Sequence, residues 1–178
     1  NYGMPYTIIR YFNVYGPHQN MLRKTPPLIG YLIRQMMNDD AIDIYSDGTQ
    51  KRDYLYIDDL NQLHFEIMYK DAMNITINAC TGKTYSVRDI FESLKIQLEY
   101  KGDLTYNPSD KLWDKYPELF NQAYSLSKNR VKKETEKFSL GDNTLARELY
   151  NWTPQYSLSH GLSEIIEYIK SANLLVAK

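Results

Sequence analysis

The chain has 178 residues, of which 43% are apolar and 24% are charged, and its formal net charge is -1. This composition is typical of a globular domain that buries its core without disulfides or metal ions. The 21 basic residues form no polybasic block, which argues against nucleic-acid binding. The absence of an apolar run near the roughly 18 residues of a membrane span, together with a single cysteine, favours a cytoplasmic protein with no membrane segment.

The first part of the chain alternates between predicted strands and helices. Thr7 to Val14 is an apolar stretch between two turns and predicts one buried strand. Apolar residues at three- and four-residue steps predict an amphipathic helix from Pro27 to Met37. Two extended pieces follow, Ala41 to Tyr45 and Arg52 to Ile57. The Asp47-Gly48 turn between them predicts a hairpin with a wide mouth.

Three further elements are predicted between positions 58 and 98. Asp58 or Asp59 can cap a helix that ends near Lys70, and Asn74 to Ala79 reads as another strand. Ser86 and Asp89 have the spacing of a capping box, in which each residue caps the other's backbone N–H. They predict a helix with five inward residues: Val87, Ile90, Phe91, Leu94 and Leu98.

The last third of the chain breaks the alternation. Residues 101–128 predict a loop with a short helix. Two helices are predicted after it. The first carries Leu145, Leu149 and Trp152 and stops at Pro154; the second carries Leu158, Leu162, Ile165, Ile166 and Ile169.

Four segments in a fixed order carry a resemblance to a known family: RYFNVYGP at 10–17, DGTQKRDYLYIDD at 47–59, INACTG at 77–82 and GDNTLARELYNWTP at 141–154. They resemble the C-terminal half of extended short-chain dehydrogenases that act on nucleotide sugars, the NAD-dependent epimerase/dehydratase family. The resemblance implies an α/β fold. Residues 1–178 would comprise the last Rossmann-like elements and a small mixed α/β substrate-binding lobe.

The catalytic and NAD-binding motifs of that family have no convincing counterpart in this chain. The resemblance implies a Tyr-x-x-x-Lys pair and a Gly-rich turn upstream of Asn1, and we interpret the chain as a fragment that lacks the NAD-binding half. Tyr124 and Lys128 do have the Tyr-x-x-x-Lys spacing. They follow the binding segments instead of preceding them, so we interpret this match as coincidence. No catalytic residue is assigned to the chain.

The first of the four segments also implies contacts with ligands. The resemblance gives Tyr11 and Phe12 a contact with NAD and Asn13 a contact with the substrate. An Asn that merely starts the following turn is the alternative at position 13. Pro27 and Leu28 would begin the helix beside the nucleotide base, although a Pro in the first turn is also a routine helix start.

The resemblance places the diphosphate near two arginines. Arg52 offers a planar fork of donors that matches phosphate oxygens, with a surface salt bridge as the alternative. Arg130 would be a second phosphate-binding residue, and Glu134 would accept ribose hydroxyls. Tyr45 would lie beside the base, although a tyrosine on a strand is as often part of the core.

Other titratable residues carry no predicted chemistry. Asp53 and Asp58 are interpreted as residues that cap and orient local structure, because no second carboxylate or histidine completes an acid–base pair. The three histidines, His18, His64 and His160, lack metal-ligand spacing.

The resulting hypothesis is the substrate-binding part of an NAD-dependent nucleotide-sugar epimerase or dehydratase. Its ligand would be a nucleotide-diphosphate sugar, and the resemblance implies that the intact protein is a homodimer. Two alternatives stay open. One is a non-catalytic module that binds nucleotide sugars, and the other is a folding or assembly unit with no ligand binding of its own.

Overall fold

The computed structural model describes residues 3–23, 25–70, 74–114 and 128–174. Over these ranges the chain divides into two compact units. Unit 1 comprises Asn1–Asn20, Asp53–Thr84 and Ser139–Lys178, and unit 2 comprises Met21–Arg52 and Tyr85–Phe138. In the part of the chain described, no helix has the length and apolar character needed to cross a bilayer.

Parallel strand pairs form the framework of unit 1. Strand β1 (Thr7–Tyr11) pairs with β6 (Ile75–Ala79), and β2 (Asn13–Tyr15) pairs with β5 (Tyr54–Tyr56). The prediction of a single strand from Thr7 to Val14 is therefore wrong. The backbone N–H of Phe12 still donates to Ala79, whereas that of Asn13 donates to Asp53. The chain thus changes its partner strand between two consecutive residues.

Three helices complete unit 1: α2 (Ile57–Met68), α6 (Thr144–Tyr150) and α7 (Leu158–Ser171). One buried cluster joins α2 and α6 to the strands; its members are Leu55, Leu60, Leu63, Ile77, Ala79, Ala146, Tyr150 and Trp152. Trp152 was predicted to lie on a helix, but α6 ends at Tyr150, and its C-cap Asn151 has a left-handed φ of 53°. Leu145 lies on α6, as predicted, and is 50% exposed.

Neither Asp58 nor Asp59 caps helix α2, although the sequence predicted that one of them would. The N-cap is Tyr56, without a side-chain cap, and Asp59 is buried at the helix start. Its carboxylate accepts the backbone N–H groups of Gln155 at 2.7 Å and Tyr156 at 3.3 Å. Its backbone oxygen accepts the indole N–H of Trp152 at 2.9 Å. Asp59 therefore fastens the segment between α6 and α7 to α2.

The burial of Asp59 should make part of the stability pH-dependent. Burial is the main reason that the pKa of Asp59 is raised above 3.8, against the opposing effect of the two backbone N–H groups. The folded state then favours the protonated acid, so this contribution is greatest at low pH and declines as pH rises through the raised pKa. We expect the free energy of unfolding of wild type minus that of Asp59→Asn to fall as pH rises above about 4, measured by urea denaturation. A difference that grows with pH would contradict this.

Unit 2 contains the remaining elements, and their pairing is not that of the predicted hairpin. The bounds are α1 (Leu28–Met37), β3 (Ile42–Ile44), β4 (Lys51–Arg52), β7 (Tyr85–Ser86), α3 (Val87–Gln97), β8 (Leu104–Tyr106), α4 (Lys111–Asp114), α5 (Lys128–Thr135) and β9 (Phe138–Ser139). Strand β3 pairs in parallel with β8, and β4 lies between β7 and β9. The hairpin prediction is therefore wrong, because both of its strands find partners far along the chain.

The capping box of helix α3 is confirmed. The Ser86 hydroxyl accepts the backbone N–H of Asp89 at 3.1 Å, and the Asp89 carboxylate accepts that of Ser86 at 2.8 Å. Four of the five predicted inward residues are buried, and Leu98 is half-buried. Helix α4 lies within the predicted loop at 101–128, and residues 115–127, including Tyr124, lie outside the described residues.

Candidate functional site

The residues predicted to contact NAD and substrate in unit 1 lie where strand β1 ends. Because β1 and β6 are parallel, Tyr11 and Ala79 share the carboxyl edge of the pair. Ligand sites of open α/β sheets lie outside such edges. Tyr11 is 54% exposed, and its hydroxyl shares a hydrogen bond of 2.8 Å with His64 Nε2. The Tyr11 side chain is therefore held by His64 and remains about half exposed.

Asn13 is exposed, but its side chain is held in place. Its Nδ2 donates to the backbone oxygen of Asp53 at 2.8 Å, beside the backbone bond of 3.1 Å between the same two residues. The amide keeps a second N–H and the oxygen Oδ1 with which to meet a ligand. This arrangement is compatible with the predicted substrate contact and with a local structural role.

Asp53 is held by several hydrogen bonds, and the prediction that it orients local structure is confirmed. Its side chain is fully buried. Oδ1 accepts the N–H and hydroxyl of Thr81 at 2.8 and 2.7 Å. Oδ2 accepts the N–H groups of Gly82 at 2.9 Å and Gly141 at 3.3 Å. Thr81 and Gly82 belong to the INACTG segment, and Gly141 belongs to the GDNTLARELYNWTP segment. Both segments therefore donate hydrogen bonds to the same buried carboxylate.

Cys80 lies in the middle of this arrangement and is fully buried. A Cβ atom on Gly141 would collide with the Cys80 side chain and would lie 2.9 Å from Phe12 Cζ. Burial, assisted by the negative charge of Asp53, raises the pKa of the Cys80 thiol to about 12. The thiol is therefore protonated and has no nucleophilic role here.

In unit 2 the structure brings together Arg52 and Glu134. Arg52 Nη2 donates to the Glu134 carboxylate at 3.3 Å and to its backbone oxygen at 2.9 Å. Lys137 also approaches the carboxylate, at 3.3 Å. Desolvation raises the pKa of Glu134, but the hydrogen bond and charge of Lys137, followed by those of Arg52, outweigh it and lower the pKa overall. Glu134 is thus a carboxylate held between two cations.

The other predicted residues of unit 2 lie at the start of helix α1, on α5 and directly after strand β3. Arg130 is exposed on α5 one turn before Glu134, so these two side chains share a helix face. Pro27 is the N-cap of α1, with φ -57° and ψ 155°, and both Pro27 and Leu28 are half-buried. Tyr45 follows β3 directly and is also half-buried.

Comparison with known proteins assigns the fold. The crystal structure of a UDP-glucose 4-epimerase from Thermotoga maritima with UDP-glucose matches with a TM-score of 0.77 and 29% identity, covering 97% of this chain and 48% of that one. A UDP-glucuronic acid 4-epimerase from Bacillus cereus, in complex with UDP-glucuronic acid and NAD, matches with a TM-score of 0.73 and 27% identity over 97% and 47%. The chain therefore has the α/β fold of Rossmann-like extended short-chain dehydrogenases, as predicted.

The predicted resemblance is confirmed as well. Residues 1–80 match the NAD dependent epimerase/dehydratase family. A putative UDP-glucose 4-epimerase of Methanocaldococcus jannaschii is 28% identical over 172 residues, which make up 97% of this chain and 48% of the relative. The chain spans about half the length of the curated relatives that it matches.

Proposed function

We propose that this chain is the part of an NAD-dependent nucleotide-sugar epimerase or dehydratase that holds the nucleotide diphosphate. In a protein as long as these relatives, the other half would carry most of the NAD site and the Tyr/Lys pair. The chain alone would therefore be inactive. On this proposal the intact protein is a cytoplasmic homodimer. Support comes from the family match and from relatives whose crystal structures contain UDP-sugars.

The observation that carries the proposal is the pairing of Arg52 with Glu134. A ribose diphosphate presents an anion next to two hydroxyl groups. Arg52 offers donors to the anion, and the Glu134 carboxylate offers acceptors to the hydroxyls. The Arg52 side chain is only 19% exposed and is oriented by its bonds to Glu134, so little freedom remains to be lost on binding. Arg130, on the same face of α5, would add a second donor.

The carboxyl end of β1 fits the role proposed for unit 1. Tyr11 presents an aromatic side chain that is about half exposed, which suits contact with a flat ring such as nicotinamide. Asn13 would bind a phosphate oxygen or a sugar hydroxyl. NAD, when bound, would supply a hydride acceptor for a sugar carbon. The residues of this chain would hold the substrate by its non-reacting nucleotide, and that binding fixes the sugar in place.

Calorimetric titration of the chain with UDP and dTDP tests the proposal. We expect binding by wild type and at least about tenfold weaker binding by Arg52→Ala, because a hydrogen bond between charged groups contributes roughly 1.5–3 kcal/mol. Arg52→Lys should recover only part of the loss, since an ammonium lacks the planar fork.

Lys137→Ala is the matched control, because it also removes a cation from Glu134 but no proposed ligand contact. It should leave the affinity nearly unchanged. Equal affinities for wild type and Arg52→Ala would refute the role of Arg52. Flat heats with both nucleotides for wild type would instead favour a folding or assembly unit.

A further inference from the structure

The geometry around Asp53 points to a role beyond local structure. We propose that Asp53 is a positioning residue that holds the Asn13 amide in the orientation needed for nucleotide-sugar binding, an inference that rests on the proposed function. Asp53 does not itself contact the ligand. It acts through its backbone oxygen, which its buried side chain keeps in place.

The carboxylate of Asp53 fixes the residue in three dimensions. It is fully buried and is satisfied entirely by neutral donors: the N–H and hydroxyl of Thr81 and the N–H groups of Gly82 and Gly141. A buried carboxylate without donors is strongly unfavourable, so rotation away from this set is costly. Its own N–H donates to Ser139 at 2.9 Å. The Asp53 peptide is thereby held from both sides.

The backbone oxygen of Asp53 transmits this rigidity to Asn13. It accepts both the backbone N–H of Asn13 at 3.1 Å and its Nδ2 at 2.8 Å. A carbonyl oxygen has two lone pairs, so these two donors saturate it. A flipped amide would place Oδ1 against this oxygen and lose the bond. One orientation of the Asn13 amide is therefore selected before a ligand arrives.

Selecting that orientation in advance should improve affinity. Asn13 is exposed, so without the bond to Asp53 its amide would sample several rotamers and would have to be ordered on binding. Weakening the carboxylate contacts should release Asn13 and lower affinity even in a folded protein. A purely structural Asp53 would change stability and leave the affinity of the folded protein unaltered.

A double-mutant cycle with UDP-glucose as the probe separates these two roles. We expect Asp53→Asn and Asn13→Ala each to weaken binding by about fivefold to tenfold, measured by calorimetry well below the unfolding temperature. In the Asn13→Ala background, Asp53→Asn should have little further effect, because the group that it positions is gone. Additive losses would overturn the positioning role. Asp142→Asn, which changes an exposed carboxylate of the same unit, should leave affinity unchanged.

A ligand-free measurement keeps the inference testable if UDP-glucose does not bind, which would count against the proposed function alone. In the nuclear magnetic resonance spectrum of wild type, one side-chain N–H of Asn13 should be protected from exchange with water. Asp53→Asn should abolish that protection and leave the Asn78 amide, bonded to Asp142 at 3.0 Å, unaffected.

If Asp53→Asn fails to fold, Thr81→Ala removes a single donor and should reduce the protection of Asn13 to a smaller degree. Unchanged protection of Asn13 in the folded variants would overturn the inference.

Discussion

Replacing Trp152 with alanine should lower the free energy of unfolding by about 3–5 kcal/mol. Trp152 is 1% exposed and belongs to the cluster that joins strands β5 and β6 to helices α2 and α6. Truncation would leave a cavity the size of an indole and remove the donor to the Asp59 backbone oxygen. Because the segment that follows is also fastened to Asp59, α7 should lose part of its anchorage.

Two variants show which part of Trp152 matters. Trp152→Phe keeps most of the packing but loses the N–H, and should cost about 1–3 kcal/mol. Leu145→Ala, on the same segment but 50% exposed, should stay within about 0.5 kcal/mol of wild type. Urea denaturation followed by circular dichroism measures all three without depending on tryptophan fluorescence. A loss below about 1 kcal/mol for Trp152→Ala would contradict the assignment of Trp152 to the core.

Elements defined by local pattern were predicted well. The apolar periodicity of α1 and the capping box of α3 operate within a few residues, and both helices lie where the sequence places them. Strand pairing was not predictable in the same way. Within residues 7–14, the chain first pairs with β6 and then with β5. The apolar character of this stretch does not indicate which strand it pairs with. The hairpin failed for the same reason, and the short strand β8 was missed.

The candidate site shows the same division. The family resemblance identified Arg52 and Glu134, and the structure shows that these two residues contact each other. The arrangement around Asp53 required coordinates, because its donors lie 28, 29 and 88 residues away along the chain. Helix α5 was also missed, since its polar, strongly charged sequence lacks an apolar face.

Replacing Gly141 with alanine should lower the free energy of unfolding by about 1–3 kcal/mol, for reasons of space. The added Cβ would collide with the Cβ and Sγ atoms of Cys80, which are buried and cannot move aside, and would crowd Phe12. A shift of Gly141 to relieve the collision would lengthen its 3.3 Å bond to Asp53. The variant should therefore lose stability and also weaken the hydrogen bond from the Gly141 N–H to the Asp53 carboxylate.

A double-mutant cycle with Cys80→Gly, measured by urea denaturation, tests this cause. Cys80→Gly removes both colliding atoms of Cys80, so the combined variant should lose less stability than the sum of the single losses. Gly82→Ala provides the control. Gly82 has φ +73°, and an added Cβ would meet only the Gly141 oxygen at 3.9 Å, an ordinary contact, so its cost of about 1 kcal/mol comes from backbone strain. Cys80→Gly should not relieve that strain, and the two losses should add. Additivity at Gly141 as well would show that crowding against Cys80 is not what requires glycine there.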